Sequence, residues 1–108
     1  AFGEPVPVGS ILTIEAKVSR AFKSSMEVFI DVWKQTKTNP KMTKVNEAIY
    51  TFVALNKQGK TVKVPQIIPE TDIEKSRYNA ALRRRQLSLV LAGKMKANEA
   101  TELKAIFN

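Results

Sequence analysis

The strongest constraint on the fold is a two-residue hydrophobic period that occurs twice in quick succession. From Leu12 to Val18 the even positions Leu12, Ile14, Ala16 and Val18 are apolar, and the odd positions Thr13, Glu15, Lys17 and Ser19 are polar. Neighbouring side chains of a β-strand point to opposite faces, so this pattern predicts a strand with one buried face. The same parity returns at once, with Met26, Val28, Ile30 and Val32 on one side and Ser25, Glu27, Phe29, Asp31 and Trp33 on the other. The connection from Arg20 to Ser24 is too short for a parallel crossover, which takes about a dozen residues, so the two strands are expected to pair antiparallel.

A third run, Lys44 to Asn56, is rich in β-formers and apolar on both sides: Ala48, Tyr50, Phe52 and Ala54 on one, Val45, Ile49, Val53 and Leu55 on the other. It reads as a central strand covered on both faces, with Tyr50 and Phe52 in the core. The polar, proline-bearing stretch from Thr36 to Met42 is expected to be an exposed hairpin loop. Asn56 to Lys60 contains a glycine and reads as a turn, followed by a brief edge strand over Thr61 to Val64.

The period changes after Pro69. Thr71 with Glu74 three residues on is a capping-box pattern, and Asp72 adds a negative charge where a helix N-terminus favours one. A helix is predicted from about Asp72 to Ala92, stopped by Gly93. Its apolar positions Tyr78, Ala81, Leu82, Leu89 and Val90 form a partial stripe, so it is expected to lie partly exposed. A shorter helix capped by Asn98 closes the chain in this reading. The fold class is therefore α+β, with an antiparallel sheet portion over 1–70 and a helical tail over 71–108.

At 108 residues and 44% apolar content the chain suits one modest core. It contains no cysteine and no histidine, which excludes disulfides, the usual zinc sites and histidine-based triads. Catalysis here would have to use carboxylates, hydroxyls, amides or backbone dipoles. No apolar run reaches the roughly 20 residues of a membrane span, and AFGEPVPVGS lacks the layout of a signal peptide, so a cytoplasmic protein without a membrane partner is expected. The formal charge of +8 predicts attraction to polyanions: nucleic acid, anionic lipid or a phosphorylated small molecule. Lysine and arginine are spread along the chain, apart from the cluster Arg83, Arg84 and Arg85.

Strands with so apolar a face need a covering layer, and the only predicted helices lie at the C-terminal end and are weakly amphipathic. Cover from elsewhere is therefore expected. The start Ala1-Phe2-Gly3, without an initiator methionine, fits the expectation that upstream residues belong to the complete protein.

Three segments, in order, carry a family resemblance. The first is Pro5-Val-Pro-Val-Gly-Ser-Ile-Leu12 followed by Glu15-Ala-Lys-Val18. The second is Phe22-Lys-Ser-Ser-Met-Glu-Val28 running on to Val32-Trp33. The third is Glu47-Ala-Ile-Tyr-Thr-Phe-Val-Ala-Leu55, then Gly59-Lys60 and Val64-Pro-Gln-Ile-Ile-Pro-Glu-Thr71, ending in Glu74-Lys75, Arg77 and Tyr78. Across residues 4 to 85 the chain resembles the acyl-CoA hydrolases of the hotdog superfamily, both the short bacterial enzymes and the tandem-domain brain-type hydrolase of animals. The resemblance implies a curved antiparallel sheet wrapped around one long helix upstream of the matched segments. It also implies hydrolysis of acyl-CoA to a free acid and coenzyme A without metal, cofactor or covalent intermediate. In the family an Asp or Asn near that helix promotes attack by water while the helix N-terminus polarises the thioester carbonyl. Those residues would precede Ala1, so no catalytic residue is carried over. Dimers or hexamers of hotdog domains, with coenzyme A in a groove between subunits, are implied as well.

Within this frame Lys23, Ser24 and Ser25, at the start of the second strand, are candidates for binding the phosphates or pantetheine of coenzyme A. The alternative is an ordinary hairpin connection. Arg83 and Arg84 are candidates for the nucleotide 3′-phosphate, although three adjacent arginines fan over nearly a full helical turn and at most two can face one ligand. A solvated face is the alternative. Glu27 and Asp31 share one side of a strand as paired carboxylates do in acid/base sites, but no partner motif supports catalysis, and they are expected to face solvent or a neighbouring subunit. Phe29 and Trp33 on that side favour the subunit.

A different class of function, a small basic β module binding nucleic acid through phosphate contacts, would account for the charge equally well. Such sheets display aromatics for base stacking, whereas aromatic residues are only 7% of this chain and fall at positions read as core or interface. Nucleic acid is therefore not the expected partner. A noncatalytic hotdog half serving in assembly is the third reading.

Overall fold

The computed structural model describes residues 5–96 and residue 100, and the two alternating segments form a long antiparallel hairpin. Strand β1 spans Ile11–Ala21 and β2 spans Ser25–Gln35. Strand β3, Thr43–Val53, pairs antiparallel with the other side of β2, giving the sheet order β1-β2-β3. The predicted central strand is thus an edge strand of the described sheet, and β2 is central. Hydropathy on both faces of β3 was the signal for the central position, but only hydrogen-bond pairing sets strand order.

Register fixes which side chains share a face. Ile14 lies opposite Val32, Ala16 opposite Ile30 and Val18 opposite Val28 on one side of β2. Ile30 lies opposite Ala48, Val28 opposite Tyr50 and Met26 opposite Phe52 on the other. The even-numbered residues therefore build one continuous apolar face. Two irregularities shape the opposite face: the β1–β2 register shifts between Val18 and Arg20, and the β2–β3 register shifts beside Trp33. Each puts an extra residue, Ser19 or Val45, against the partner strand, and both are buried.

The loop after β2 is a turn closed by Thr36 and Asn39, each backbone amide bonding the other's carbonyl. After β3 the chain turns over Asn56 to Lys60, where the Asn56 side chain accepts the amides of Gln58 and Lys60 at 2.9 and 3.0 Å. The expected strand over Thr61 to Val64 is reduced to one bridge, Leu55 with Thr61. The amide of Val64 instead bonds the Lys23 carbonyl at 3.0 Å. Pro65 follows, and without an amide hydrogen it cannot prolong the ladder.

The chain divides into two units, Ala1–Val64 and Pro65–Asn108. The second contains helix α1, Asp72–Leu91. The capping box is formed as the sequence predicts: Glu74 N–H donates to Thr71 Oγ1 at 3.1 Å, and Thr71 N–H donates to Glu74 Oε1 at 2.9 Å. At the other end Gly93 adopts φ 72°, a left-handed conformation that suits glycine and ends the helix. Ala81 and Gln86 are buried, while Ile73, Leu87 and Leu91 are exposed. The expected helix capped by Asn98 lies outside the described residues. No described helix is long and apolar enough to cross a membrane.

Candidate functional site

Lys23, Ser24 and Ser25 occupy the tight connection between β1 and β2. The turn is closed by the Phe22 amide on the Ser25 carbonyl at 2.8 Å. The carbonyls of Lys23 and Ser24 accept the amides of Val64 and Ala54, so the segment after β3 holds the turn from behind. Lys23 is exposed, Ser24 half-buried and Ser25 buried. The structure thus presents a lysine ammonium and an adjacent hydroxyl on a backbone fixed at three points. Arg83 and Arg84 are half-buried on α1, and Arg85 is exposed. They belong to the second unit, whereas Lys23 to Ser25 belong to the first.

Glu27 and Asp31 stand differently from expectation. Both are buried, at 4% and 7% exposure, rather than turned to solvent. Phe29 between them is also buried within the chain, and Trp33 is half-buried. Hydrogen bonding makes the burial of the acids tolerable. The bulged Ser19 hydroxyl donates to Glu27 Oε1 at 2.6 Å and lies 3.1 Å from the Glu27 carbonyl oxygen. Asp31 is paired with Lys44, whose Nζ lies 2.9 Å from Asp31 Oδ1 and 3.0 Å from Glu47 Oε1.

Lys44 Nζ also sits 5.1 Å from the centre of the Trp33 ring, a cation–π arrangement on the same face. Its hydrogen bond to Asp31, then that to Glu47, raise the Lys44 pKa above the ordinary 10.5. A carboxylate that serves as general base needs a free lone pair within reach of water or substrate. Asp31 and Glu27 are instead enclosed and bonded, so the pair acts as a fastening across strands. These contacts follow from the two bulges. The sequence carries one trace of the first: Ala21 is apolar at an odd position, which breaks the parity held from Leu12 to Val18.

The apolar face is open in this chain, as the expectation of cover from elsewhere implies, while Tyr50 and Phe52, read as core, are exposed here. Leu12, Ile14 and Val18 are 47%, 65% and 38% exposed, and Tyr50 and Phe52 are 54% and 53% exposed. The side predicted to need cover is thus exposed along β1 and β3. The two rings stand 6.4 Å apart, tilted by 42°. Among the described residues no group of three or more His, Cys, Asp or Glu side chains is placed to hold a metal ion.

Comparison with known proteins fits this geometry. The model of the thioesterase superfamily matches residues 1–41. Acyl-coenzyme A thioesterase 11 of Mus musculus is 42% identical over 95 residues, which is 88% of this chain and 16% of the mouse protein. The acyl-CoA hydrolase of Staphylococcus aureus, solved with butyryl coenzyme A, coenzyme A and coenzyme A disulfide, superposes with a TM-score of 0.71 at 35% identity, covering 87% of this chain and 59% of that one. A hexameric acyl-CoA thioesterase in its apo form superposes with a TM-score of 0.77 at 32% identity, covering 85% of this chain and 59% of that one. The chain therefore spans about three-fifths of these solved structures. From the ordered sequence match, the three-stranded sheet and these superpositions together, the chain belongs to the hotdog-fold acyl-CoA thioester hydrolase family of the thioesterase superfamily.

Proposed function

We propose that this chain is the later part of a hotdog domain whose complete protein hydrolyses acyl-CoA to a free acid and coenzyme A. The observation that carries the reading is the open apolar face bounded by Ile14, Val18, Val28, Ile30, Tyr50 and Phe52, on a sheet that superposes on acyl-CoA hydrolases. A helix from residues outside Ala1 to Asn108 would cover that face and bring the carboxylate or amide that activates water. The described residues contribute binding: Lys23, Ser24 and Ser25 toward the phosphates or pantetheine, Arg83 and Arg84 toward the nucleotide phosphate. The sheet portion 1–70 and the tail 71–108 would belong to a cytoplasmic homo-oligomer, a dimer or a hexamer, with coenzyme A between subunits. Support for the assembly comes from the hexameric relative.

The exposed rings of Tyr50 and Phe52 invite comparison with a base-stacking platform. Such platforms set cations beside the rings. Here the neighbours on the face are Met26, Val28 and Val18, which suits a helix or an acyl chain better than a phosphate backbone.

The test is release of free thiol from medium- and long-chain acyl-CoAs by the complete protein. Turnover is expected there, with little or none from the 108 residues alone. Lys23→Ala is expected to raise KM several-fold with kcat little changed, because it removes a charge-assisted contact to substrate rather than a group acting on the thioester. Absence of turnover in the complete protein, together with salt-sensitive submicromolar binding of single-stranded oligonucleotides, would replace this reading with the nucleic-acid module.

A further inference from the structure

The β1–β2 hairpin has a second end, and it carries a pocket. Strand β1 has 11 residues, so at about 3.3 Å per residue its far end lies on the order of 30 Å from Lys23. There the turn before β1 meets the turn after β2 around a pocket of about 260 Å³, lined by Pro7, Val8, Gly9, Ser10, Thr36, Lys37 and Thr38. The lining contains one cation and no acid. From Val32 to Asn46 the chain holds Lys34, Lys37, Lys41 and Lys44 and no Asp or Glu.

Two of these lysines are committed elsewhere. Lys44 is tied to Asp31 and Glu47, and Lys34 Nζ donates to the Pro5 carbonyl at 3.1 Å. Lys37 has no partner among the described residues, and neither do the backbone amides of Gly9, Lys37 and Thr38. The hydroxyls divide in the same way. Ser10 Oγ already donates to the Pro7 carbonyl at 2.7 Å. Thr36 Oγ1 accepts the Asn39 amide at 3.0 Å and stands 3.4 Å from Thr38 Oγ1, so a proton on that pair remains to be donated. An ammonium, loop amides and hydroxyls thus belong to the residues that line one opening, whose surface is otherwise mainly apolar, and such donors are the chemistry that recognises a tetrahedral oxyanion.

We propose that this pocket binds a phosphate-class oxyanion, carried by a soluble small molecule or by a lipid headgroup. Lys37 supplies the charge, and Thr36, Thr38 and the loop amides supply the directed hydrogen bonds. The site is separate from the Lys23 end of the hairpin and does not depend on thioester hydrolysis.

The experiment is a backbone-amide NMR titration of the full chain with inorganic phosphate and with adenosine monophosphate, alongside co-sedimentation with phosphatidylcholine vesicles with and without phosphatidic acid. Saturable shifts at Gly9, Lys37 and Thr38 are expected. Lys37→Ala should weaken binding about tenfold or more, Thr38→Val by less, and Lys63→Ala, at an exposed lysine elsewhere, not at all. Binding of the soluble probes with that pattern supports a small-molecule ligand. Binding only of phosphatidic acid vesicles, still sensitive to Lys37→Ala, supports a headgroup. The proposal is overturned if no probe gives a saturable response, or if Lys37→Ala and Lys63→Ala weaken binding equally.

Discussion

The two faces of the sheet contradict their own hydropathy. The face of Ile14, Val18, Tyr50 and Phe52 is apolar and open, while along β2 the other face buries Ser25, Glu27, Phe29 and Asp31. Each acid on the polar face has a local partner that makes its burial tolerable: Ser19 through the β1 bulge for Glu27, Lys44 through the β3 bulge for Asp31. Polar burial can be satisfied by a few directed contacts, whereas an apolar face needs a whole layer of area laid over it. A piece of a fold can thus pair its buried acids and leave its main hydrophobic surface open. Hydropathy reports which surface must be covered, not which one a given stretch of chain covers itself.

Four measurements put this contrast at risk. The largest effect is expected from Phe29→Ala, which opens a cavity on the closed face and should cost about 3 kcal/mol in denaturant unfolding. Glu27→Ala comes next at about 2 kcal/mol, since it strips the buried Ser19 hydroxyl of its short bond, with Ser19→Ala nearer 1 kcal/mol. If both of these are silent, the closed face is not a fastening.

The third measurement concerns pH. The folded-state pKa of Lys44 is raised, so its contribution is fully present below the ordinary 10.5 and is lost as pH climbs through the higher folded value. Thermal melts of the wild type should therefore fall more steeply above about pH 10.5 than those of Lys44→Met. Parallel curves would show that the Asp31 and Glu47 contacts add nothing. The smallest effect is expected on the open face. Tyr50→Ser or Phe52→Ser should change the stability of this chain by less than about 1 kcal/mol, whereas in the complete protein each should cost about 3 kcal/mol. Equal costs in both would mean that the face is already covered here.

Much of the local structure was legible. Alternation located β1 and β2, the short connection required antiparallel pairing, and Thr71, Glu74 and Gly93 marked both ends of α1 within a residue. The resemblance located the family. Apolar residues on both sides of β3 suggested a doubly covered central strand, whereas among the described residues β3 is an edge strand with Tyr50, Phe52 and Val53 exposed. The Asp31, Lys44 and Trp33 cluster was invisible because it depends on one extra residue, Val45, that shifts the register by a single step. A bulge leaves almost no trace in composition, and that single step decides which side of a strand a charge occupies.

The sequence alone determined the periods, the turns, the helix caps and the need for an outside layer, because those depend on side chains a few residues apart. Strand order, the partners of Glu27 and Asp31, and the meeting of Gly9 with Lys37 came from the folded chain alone. These depend on register between segments distant in the chain, and hydrogen-bond pairing sets that register to a single residue where hydropathy is indifferent to it.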